Sequence, residues 1–343
     1  MPNKAGKTAA GHTFRGRVLC GSMNVFTVEC TESGRLYRCA IKGKVLKLES
    51  GYYNPVCPGD IALFTAEDTE TGRLIAIEPR RNVWSRYNEK GRKPQLLAAN
   101  IDSVFVIASP AHPPFRPRFI DRVLIQCEKA GIPGIIVLNK TDLLETPSSS
   151  PSLPSPPAPL TESIFERLAL FESMGYTVLK VSAKTGEGLG SLCAACAGKI
   201  SVFTGQSGAG KSSLINMLFG AELRKTGGLA LKHDRGAHTT VMSALLEGTL
   251  QIPADGERSA SDSPLRASII DTPGLRQFVP CGISARDLPL YMRDLSPFAS
   301  RCKFGASCAH ASEPGCAVLA ALNDGVIHPD RWNTYMGLKE ALP

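Results

Sequence analysis

The sequence contains no run approaching the roughly 18 to 20 uninterrupted apolar residues that a membrane-spanning helix needs. Its first residues, MPNKAGKTAAGHTFRGR, are basic but lack the apolar core and small-residue cleavage site of a secretory signal. These absences predict a soluble, cytoplasmic protein that does not engage a membrane. A dense cysteine framework is missing as well: eleven cysteines, an odd number, scatter from Cys20 to Cys316. That distribution argues against a disulfide scaffold and for reduced thiols or a metal site. Acidic residues are scarce at one end, where sixteen Lys and Arg face nine Asp and Glu through Gln95, so that +7 of the net +8 lies there. A focused positive field attracts polyanions, nucleic acid above all, although a solvated basic face is the alternative. What the chain does have is apolar content, 43% of 343 residues, enough to fill the cores of two or three domains and to exclude full disorder.

From Arg15 to about Ile77, short alternating runs such as GRVLCGSMNVFTVEC, RLYRCAIKG and DIALFTAED are punctuated by glycines. About five short strands with regular turns predict a small closed barrel, and an OB-fold fits the size and charge. Tyr37, Tyr52 and Tyr53 could stack on RNA bases or simply fill the barrel. Arg80, Arg81, Arg86, Lys90, Arg92 and Lys93 read as a mobile basic connector. The texture then becomes α/β. IDSVFVIAS and GIIVLNK are β-branched runs of the kind buried in parallel sheets, with the helical FIDRVLIQCEKAG between them. Residues 146–160, rich in Pro and Ser, cannot pack a core and read as a flexible insertion. A helix from Ser163 to Met174, the strand YTVLKVSA, a short helix and the strand KISVFTG follow. A polar stretch, 253–264, tips a hairpin before ASIIDTPG.

The chemistry lies in three motifs of this α/β region. Gly205-Gln206-Ser207-Gly208-Ala209-Gly210-Lys211-Ser212, followed by Ser213, matches a P-loop between a strand and a helix. Its glycines let backbone N–H groups wrap phosphates, Lys211 would neutralise the β and γ phosphates, and Ser212 would ligate Mg²⁺. Asn139-Lys140-Thr141-Asp142 closes the strand GIIVLNK. A carboxylate at Asp142 can accept guanine N1–H and its exocyclic amine, a donor pair that adenine does not present. Asn139 can bond the other edge and the Lys140 stem can cover the base, while Ser182-Ala183-Lys184 supplies a backbone contact to the guanine oxygen. Asp271-Thr272-Pro273-Gly274 has the pattern of a switch II motif, in which Asp271 holds Mg²⁺ through water and the Gly274 N–H meets the γ-phosphate. Thr239 and Thr240 are both candidates for the switch I threonine that caps the same Mg²⁺, with Thr240 slightly preferred.

The order is unusual, because the guanine motifs precede the P-loop. Domain ends lie close together at the surface, so a permuted chain can keep the same sheet and site. With QLLAANIDSVFVIAS, NKTD, SAKTGEG, GQSGAGKSS, GAHTT and DTPG in this order, from roughly Gly16 to the C-terminus, the chain resembles the RsgA/YjeQ family of circularly permuted GTPases that assist small-subunit assembly. The two insertions depart from the family pattern, as does Val241 where a third threonine is usual, and none of these removes a needed chemical group. Cys302-x5-Cys308-x-His310-x5-Cys316 places three thiolates and an imidazole within fifteen residues, a full tetrahedral set for one structural Zn²⁺. The family's site has the same ligand order with a slightly shorter first spacing. Cys193-Ala-Ala-Cys196, in contrast, reads as packing.

The expected protein is therefore multi-domain: an OB-fold RNA-binding barrel with its basic tail and connector (1–95), a circularly permuted α/β P-loop GTPase domain (96–280), and a mainly helical zinc module (281–343). The resemblance implies GTP hydrolysis with Mg²⁺, coupled to late assembly or maturation of the small ribosomal subunit and stimulated by it. The partners implied are that subunit, its rRNA and GTP/GDP, and the expected state is a monomer. An RNA-binding assembly factor with negligible turnover, or a GTPase acting elsewhere in translation, are the alternatives. Ras-like GTPases orient water with a glutamine after the switch II glycine, but here that position is Leu275. Intrinsic hydrolysis is then expected to be slow. His238, directly before the threonine pair, is the internal candidate for orienting the water, and its alternative is an ordinary loop residue.

Overall fold

The structure is a computed structural model that describes residues 12–22, 24–41, 51–144, 158–220, 243–251 and 265–342. Alternation along the N-terminal strands sends Val18, Phe26, Val28, Cys39, Ala62, Phe64 and Leu74 to one side, where they form a barrel core. The strands are β1 (Thr13–Ser22), β2 (Val25–Cys30), β3 (Leu36–Ala40), β4 (Ile61–Ala66) and β5 (Thr71–Ile77). β1 pairs with both β2 and β4, β3 pairs in parallel with β5, and β4 closes on β5. This ring of five strands is the expected barrel, and closure removes open edges. Tyr37 is core, packed between Phe14 and Phe64, while Tyr53 is exposed. Of the three tyrosines, Tyr37 is thereby withdrawn from any stacking role.

The basic connector is not a mobile loop. It forms an antiparallel hairpin, β6 (Val83–Asn88) and β7 (Lys93–Ala99). The physical reason lies in the apolar residues interleaved with its charges: Trp84 is fully buried and stacks on Phe278 at 5.4 Å, with Leu96 and Leu97 buried alongside. Two of its arginines are also internally paired. Arg80 donates through Nε and Nη2 to both oxygens of buried Asp60, at 2.7 and 3.0 Å, and Arg81 pairs with Asp102 at 2.6 Å.

The central sheet takes β8 (Ser103–Ala108), β9 (Gly134–Leu138), β10 (Thr177–Lys180), β11 (Ile200–Gly205), β12 (Ala244–Thr249) and β13 (Arg266–Asp271). Their order is β10-β9-β8-β11-β13-β12, parallel except for β12, which runs antiparallel to β13. Successive residues serve opposite faces. Val104, Val106, Ile136, Leu138 and Val202 meet one core, and Phe105, Ile107, Val137 and Phe203 the other. This two-sided burial is why the strands read as unbroken apolar runs. Helices α1 (Pro117–Ala130) and α2 (Ala158–Ser173) cover the first face, and α3 (Leu189–Cys196) and α4 (Lys211–Phe219) the second. Cys193 and Cys196 are buried in this second core, as packing requires. β12 also pairs with β1 at Ala244 and Cys20, which joins barrel and sheet into one ladder.

Helix α2 starts five residues before the expected Ser163, inside the stretch assigned to the insertion. Pro159 lies in its first turn, where a missing N–H costs nothing, so proline content there did not exclude helix. The rest of the first insertion, 145–157, and the tip of the β12–β13 hairpin lie outside the described residues. All eleven cysteines are free, and ten of them are buried. Among the described residues, no helix is long and apolar enough to cross a membrane.

After β13 the chain forms short helical segments, α5 (Ser296–Ala299), α6 (Ala317–Asn323) and α7 (Pro329–Ala341), around their own core of Leu288, Met292, Leu295, Val318 and Tyr335. A buried charge network docks this module onto α1. Asp121, fully buried, accepts from Arg331 Nη1 at 2.5 Å, Arg167 Nη2 at 2.8 Å and Thr334 Oγ1 at 3.0 Å. Arg331 turns its remaining donors to Asp294, at 2.8 and 2.9 Å. Burial works against the Arg331 charge, but Asp121 and Asp294 outweigh it and raise its pKa. Breaking such a network strands charge in a dry interior, whereas forming it gains little. Arg331→Met is therefore expected to destabilise the protein by about 3 kcal/mol, seen as a lower urea midpoint. A midpoint equal to that of the parent would contradict the docking role.

Candidate functional site

The four loops that carry the motifs all leave carboxyl ends of parallel strands: β9, β10, β11 and β13. β8 and β11 are neighbours from which the chain winds in opposite directions, and the crevice above such a switch point is where α/β sheets bind ligands. The loop after β11 runs from Gly205 to Gly210, and α4 begins at Lys211, so the first N–H groups of a nine-residue helix point into the loop. Lys211 is buried and donates through Nζ to the carbonyls of Gly205 and Gln206, both at 3.1 Å. Burial lowers its pKa, and Asp271 pulls the other way. A desolvated ammonium of this kind gains from any anionic ligand. Ser207, Gly208, Ser212 and Ser213 are exposed along the same rim.

Asn139 ties this loop to the one after β10. Its buried amide donates through Nδ2 to Ala209 O at 3.0 Å, and its Oδ1 accepts from the Ala183 N–H at 3.1 Å. Gly210, at φ 93°, is the close approach that allows this, because a Cβ there would strike the Asn139 amide nitrogen. Lys140 reaches across to the carbonyls of His112 at 2.5 Å and Gly208 at 2.8 Å. Its pKa is lowered by burial, against an opposing pull from Asp142. Asp142 Oδ1 accepts from Ser182 Oγ at 2.7 Å, and its Oδ2 lies 3.7 Å from Lys184 Nζ. Ser182 Oγ in turn accepts the N–H groups of Lys184 and Thr185 at 3.2 Å.

Asp271 is nearly buried at the end of β13 and acts electrostatically on Lys211. Gly274 packs on the β11 loop so closely that a Cβ would lie 2.7 Å from Ser207 Cα. The next residue, Leu275, donates its N–H to Gly205 O at 3.1 Å and buries its side chain in the core against α1. The structure thus gathers Asn139, Lys140, Asp142, Ser182, Ala183, Lys184, the 205–213 segment, Asp271 and Gly274 on one rim. His238, Thr239 and Thr240 lie outside the described residues.

Sequence reasoning missed one part of this rim. Gln206, with its amide oxygen turned to Arg116, accepts from Arg116 Nε and Nη1 at 3.1 and 3.2 Å and donates to Pro114 O at 3.2 Å. Arg116 is the cap residue of α1, so this helix touches the phosphate-type loop directly. The only sequence trace was the run of arginines in FRPRFIDR.

The second site is the cysteine cluster. The ligand atoms of Cys302, Cys308, His310 and Cys316 all lie within 4.8 Å of one another, and all four residues are buried. Cys302 Sγ is 3.8 Å from Cys316 Sγ, and His310 Nδ1 lies 3.5 and 3.4 Å from those two sulfurs. Metal bonds of about 2.3 Å to sulfur and 2.0–2.1 Å to nitrogen give tetrahedral edges of about 3.8 and 3.6 Å, so the residues fit one tetrahedral ion. Burial lowers the His310 pKa, which keeps its imidazole neutral as a ligand must be. Burial raises the Cys302 thiol, but the N–H groups of Val318 and Ala317 outweigh it and bring the pKa below the ordinary thiol value. Burial pushes the Cys308 thiol up, which a bound cation would oppose.

The Asn139 tie is directly testable. Asn139→Ala leaves the Ala183 N–H and the Ala209 carbonyl without their partner, at a cost of about 1–3 kcal/mol. Hydrogen exchange at the Ala183 amide should accelerate by roughly tenfold or more while the barrel amides stay unchanged. Unaltered exchange at Ala183 would show that the loops hold together without it.

Comparison with known proteins agrees with this geometry. A family model described as RsgA GTPase matches residues 77–279, a span that starts at the last barrel strand and takes in all four loops. A small ribosomal subunit biogenesis GTPase RsgA from Borreliella burgdorferi (strain ZS7) is 33% identical over 325 residues, 95% of each chain. Its namesake from Chlorobaculum parvum is 35% identical over 274 residues, 78% of each chain. Among solved structures, YjeQ from Thermotoga maritima superposes with a TM-score of 0.65 at 26% identity, over 96% of this chain and 99% of that one. YloQ, described as a circularly permuted GTPase, shares the fold with a TM-score of 0.61 at 24% identity, over 99% of both chains. The matches extend over nearly the whole chain, from the barrel through the central sheet to the C-terminal module, and this chain belongs to the RsgA GTPase family.

Proposed function

We propose that this protein hydrolyses GTP in the late assembly or maturation of the small ribosomal subunit, as the names of its relatives suggest. The observation that carries the reading is the meeting of four motif loops on one rim, held by Asn139. In this reading Asp142, supported by Ser182, accepts guanine's two donors. Asn139 has a second amide hydrogen for the other edge, the Lys184 N–H leaves Ser182 Oγ to meet the guanine oxygen, and the Lys140 stem covers the ring. Residues 205–213 wrap the phosphates, and Lys211 leaves its carbonyl partners to neutralise the β and γ groups. The oxygen donors Ser212 and Asp271, with Thr240 or Thr239, suit Mg²⁺, the Asp271 contact being through water. When bound, that ion would offset the charge that develops on the phosphates. The Cys3His cluster holds one structural Zn²⁺, since four closed ligands leave no open position for catalysis.

Three units act together in this proposal: the barrel at 1–95, the nucleotide domain at 96–280 and the metal module at 281–343. The barrel's positive charge and the metal module contact rRNA, and the protein works as a cytoplasmic monomer away from membranes. Because Leu275 is buried and apolar, it cannot orient water, so turnover alone is slow. His238 orients the water in the complex with the ribosomal subunit.

Release of labelled phosphate from GTP, with and without purified small subunits, tests this. The expected outcome is slow turnover alone and at least tenfold stimulation by subunits, abolished in His238→Ala with unchanged GTP affinity. Full stimulation of His238→Ala would transfer water positioning to the partner, and an unstimulated parent would contradict the ribosomal role. Elemental analysis should find one equivalent of zinc, lost in Cys308→Ser together with local order in the C-terminal module. Carefully purified protein without zinc would contradict the metal assignment.

A further inference from the structure

A cleft of about 440 Å³ lies beside the nucleotide rim, between the first turns of α1 and the loop that follows Gly274. Its walls carry four guanidinium groups, Arg116, Arg118, Arg122 and Arg276, over aromatic side chains that include the buried Phe119 and Phe278. None of the four forms an ion pair with a described residue. Arg116, Arg118 and Arg276 are exposed, and Arg122 is half-buried without the carboxylate that half-buried or buried Arg17, Arg80, Arg167, Arg293 and Arg331 each have. Here burial lowers the Arg122 pKa, Arg118 lowers it further by repulsion, and Glu89 alone opposes them. Such a cluster keeps like charges together at an energetic cost, and planar guanidiniums match phosphate oxygens in bidentate geometry.

The position adds meaning to the charge. Arg116 bonds Gln206 of the phosphate-type loop, and Arg276 follows Leu275, whose N–H holds Gly205 O. A polyanion drawn into the cleft would touch both loops that bracket the nucleotide phosphates. We propose that this arginine cleft grips the phosphodiester backbone of RNA and thereby couples the bound partner to the two phosphate-facing loops. The inference rests on the ribosomal reading above and assigns it a surface in the nucleotide domain, separate from the barrel and the metal module. RNA suits the cleft because its spaced phosphates can engage several separated guanidiniums at once, which a single small anion cannot.

The test uses the full-length protein with intact small subunits and, separately, with their protein-free RNA. Its variants are Arg118→Ala/Arg122→Ala and Arg276→Glu, with bound GTP analogue and circular dichroism as controls for fold. Losing two phosphate contacts should flatten the dependence of log affinity on log salt by about 1.5 and weaken binding roughly tenfold at about 150 mM salt. Stimulated turnover should fall with it, while unstimulated turnover and analogue affinity stay at parent values. Variants that match the parent in subunit affinity, salt slope and stimulation would overturn the cleft and leave the ribosomal reading standing. A parent that neither binds nor responds to subunits would overturn both. Variants that lose intact subunits yet bind protein-free RNA like the parent would identify a ribosomal protein as the occupant. Competition by millimolar inorganic phosphate without an effect of RNA would identify a small free anion. Either of these last results would overturn the RNA assignment.

Discussion

The carboxamide of Asn139 is the contact on which the nucleotide rim depends. It sits at the end of β9, almost wholly buried, and joins a carbonyl of the 205–210 loop to an N–H of the 182–184 loop. A buried amide holds its place because leaving either bond unmade costs the full desolvation of the group. Phosphate-type and guanine-type loops are therefore fixed to each other before any ligand arrives. The same tie accounts for the tolerance of permuted order. What the site needs is that the carboxyl ends of β9, β10, β11 and β13 converge, and adjacency in a parallel sheet secures that whatever the sequence of the strands.

Helix α1 extends this rigidity to the rest of the molecule. Its cap, Arg116, meets Gln206, its Asp121 anchors Arg331 of α7, and its outer arginines line the cleft beside the switch-type loop. One helix of fourteen residues thus contacts the 205–210 loop, the C-terminal module with its Cys3His cluster and the arginine cleft. Through this one helix the C-terminal module, by way of Arg331 and Asp121, and Gln206, by way of Arg116, share a common support. The barrel has its own connection, through the pairing of Cys20 with Ala244 and the bond from Arg17 to Glu247.

The legible parts of the sequence were those in which chemistry demands specific residue types at short spacing. GQSGAGKS, NKTD, SAK and DTPG announce their loops because backbone approach, donor pattern and charge leave few alternatives, and Cys302 to Cys316 do so for a metal. The parallel strands were readable because burial on both faces makes their apolar runs continuous. The β6–β7 hairpin was not, since four cationic side chains between Arg86 and Lys93 dominate its composition while buried Trp84, Leu96 and Leu97 decide its packing. Asp121, Arg167, Asp294 and Arg331 were equally silent. Each looks like an ordinary helix-surface charge, and only the fold shows that they converge in the interior. The early start of α2 shows the remaining limit, because proline excludes helix interiors but not first turns.

The central claim is that the Asn139-centred rim is a guanine nucleotide site read by Asp142, and base selectivity tests it most directly. Titration calorimetry of the parent with GTP, ATP and XTP should give tight binding of GTP alone. In Asp142→Asn, one acceptor becomes a donor facing guanine's own donors, so GTP affinity should fall by several kcal/mol while XTP, which presents an acceptor there, becomes the preferred ligand. A variant that still binds GTP as tightly as the parent, with no gain for XTP, would contradict the account.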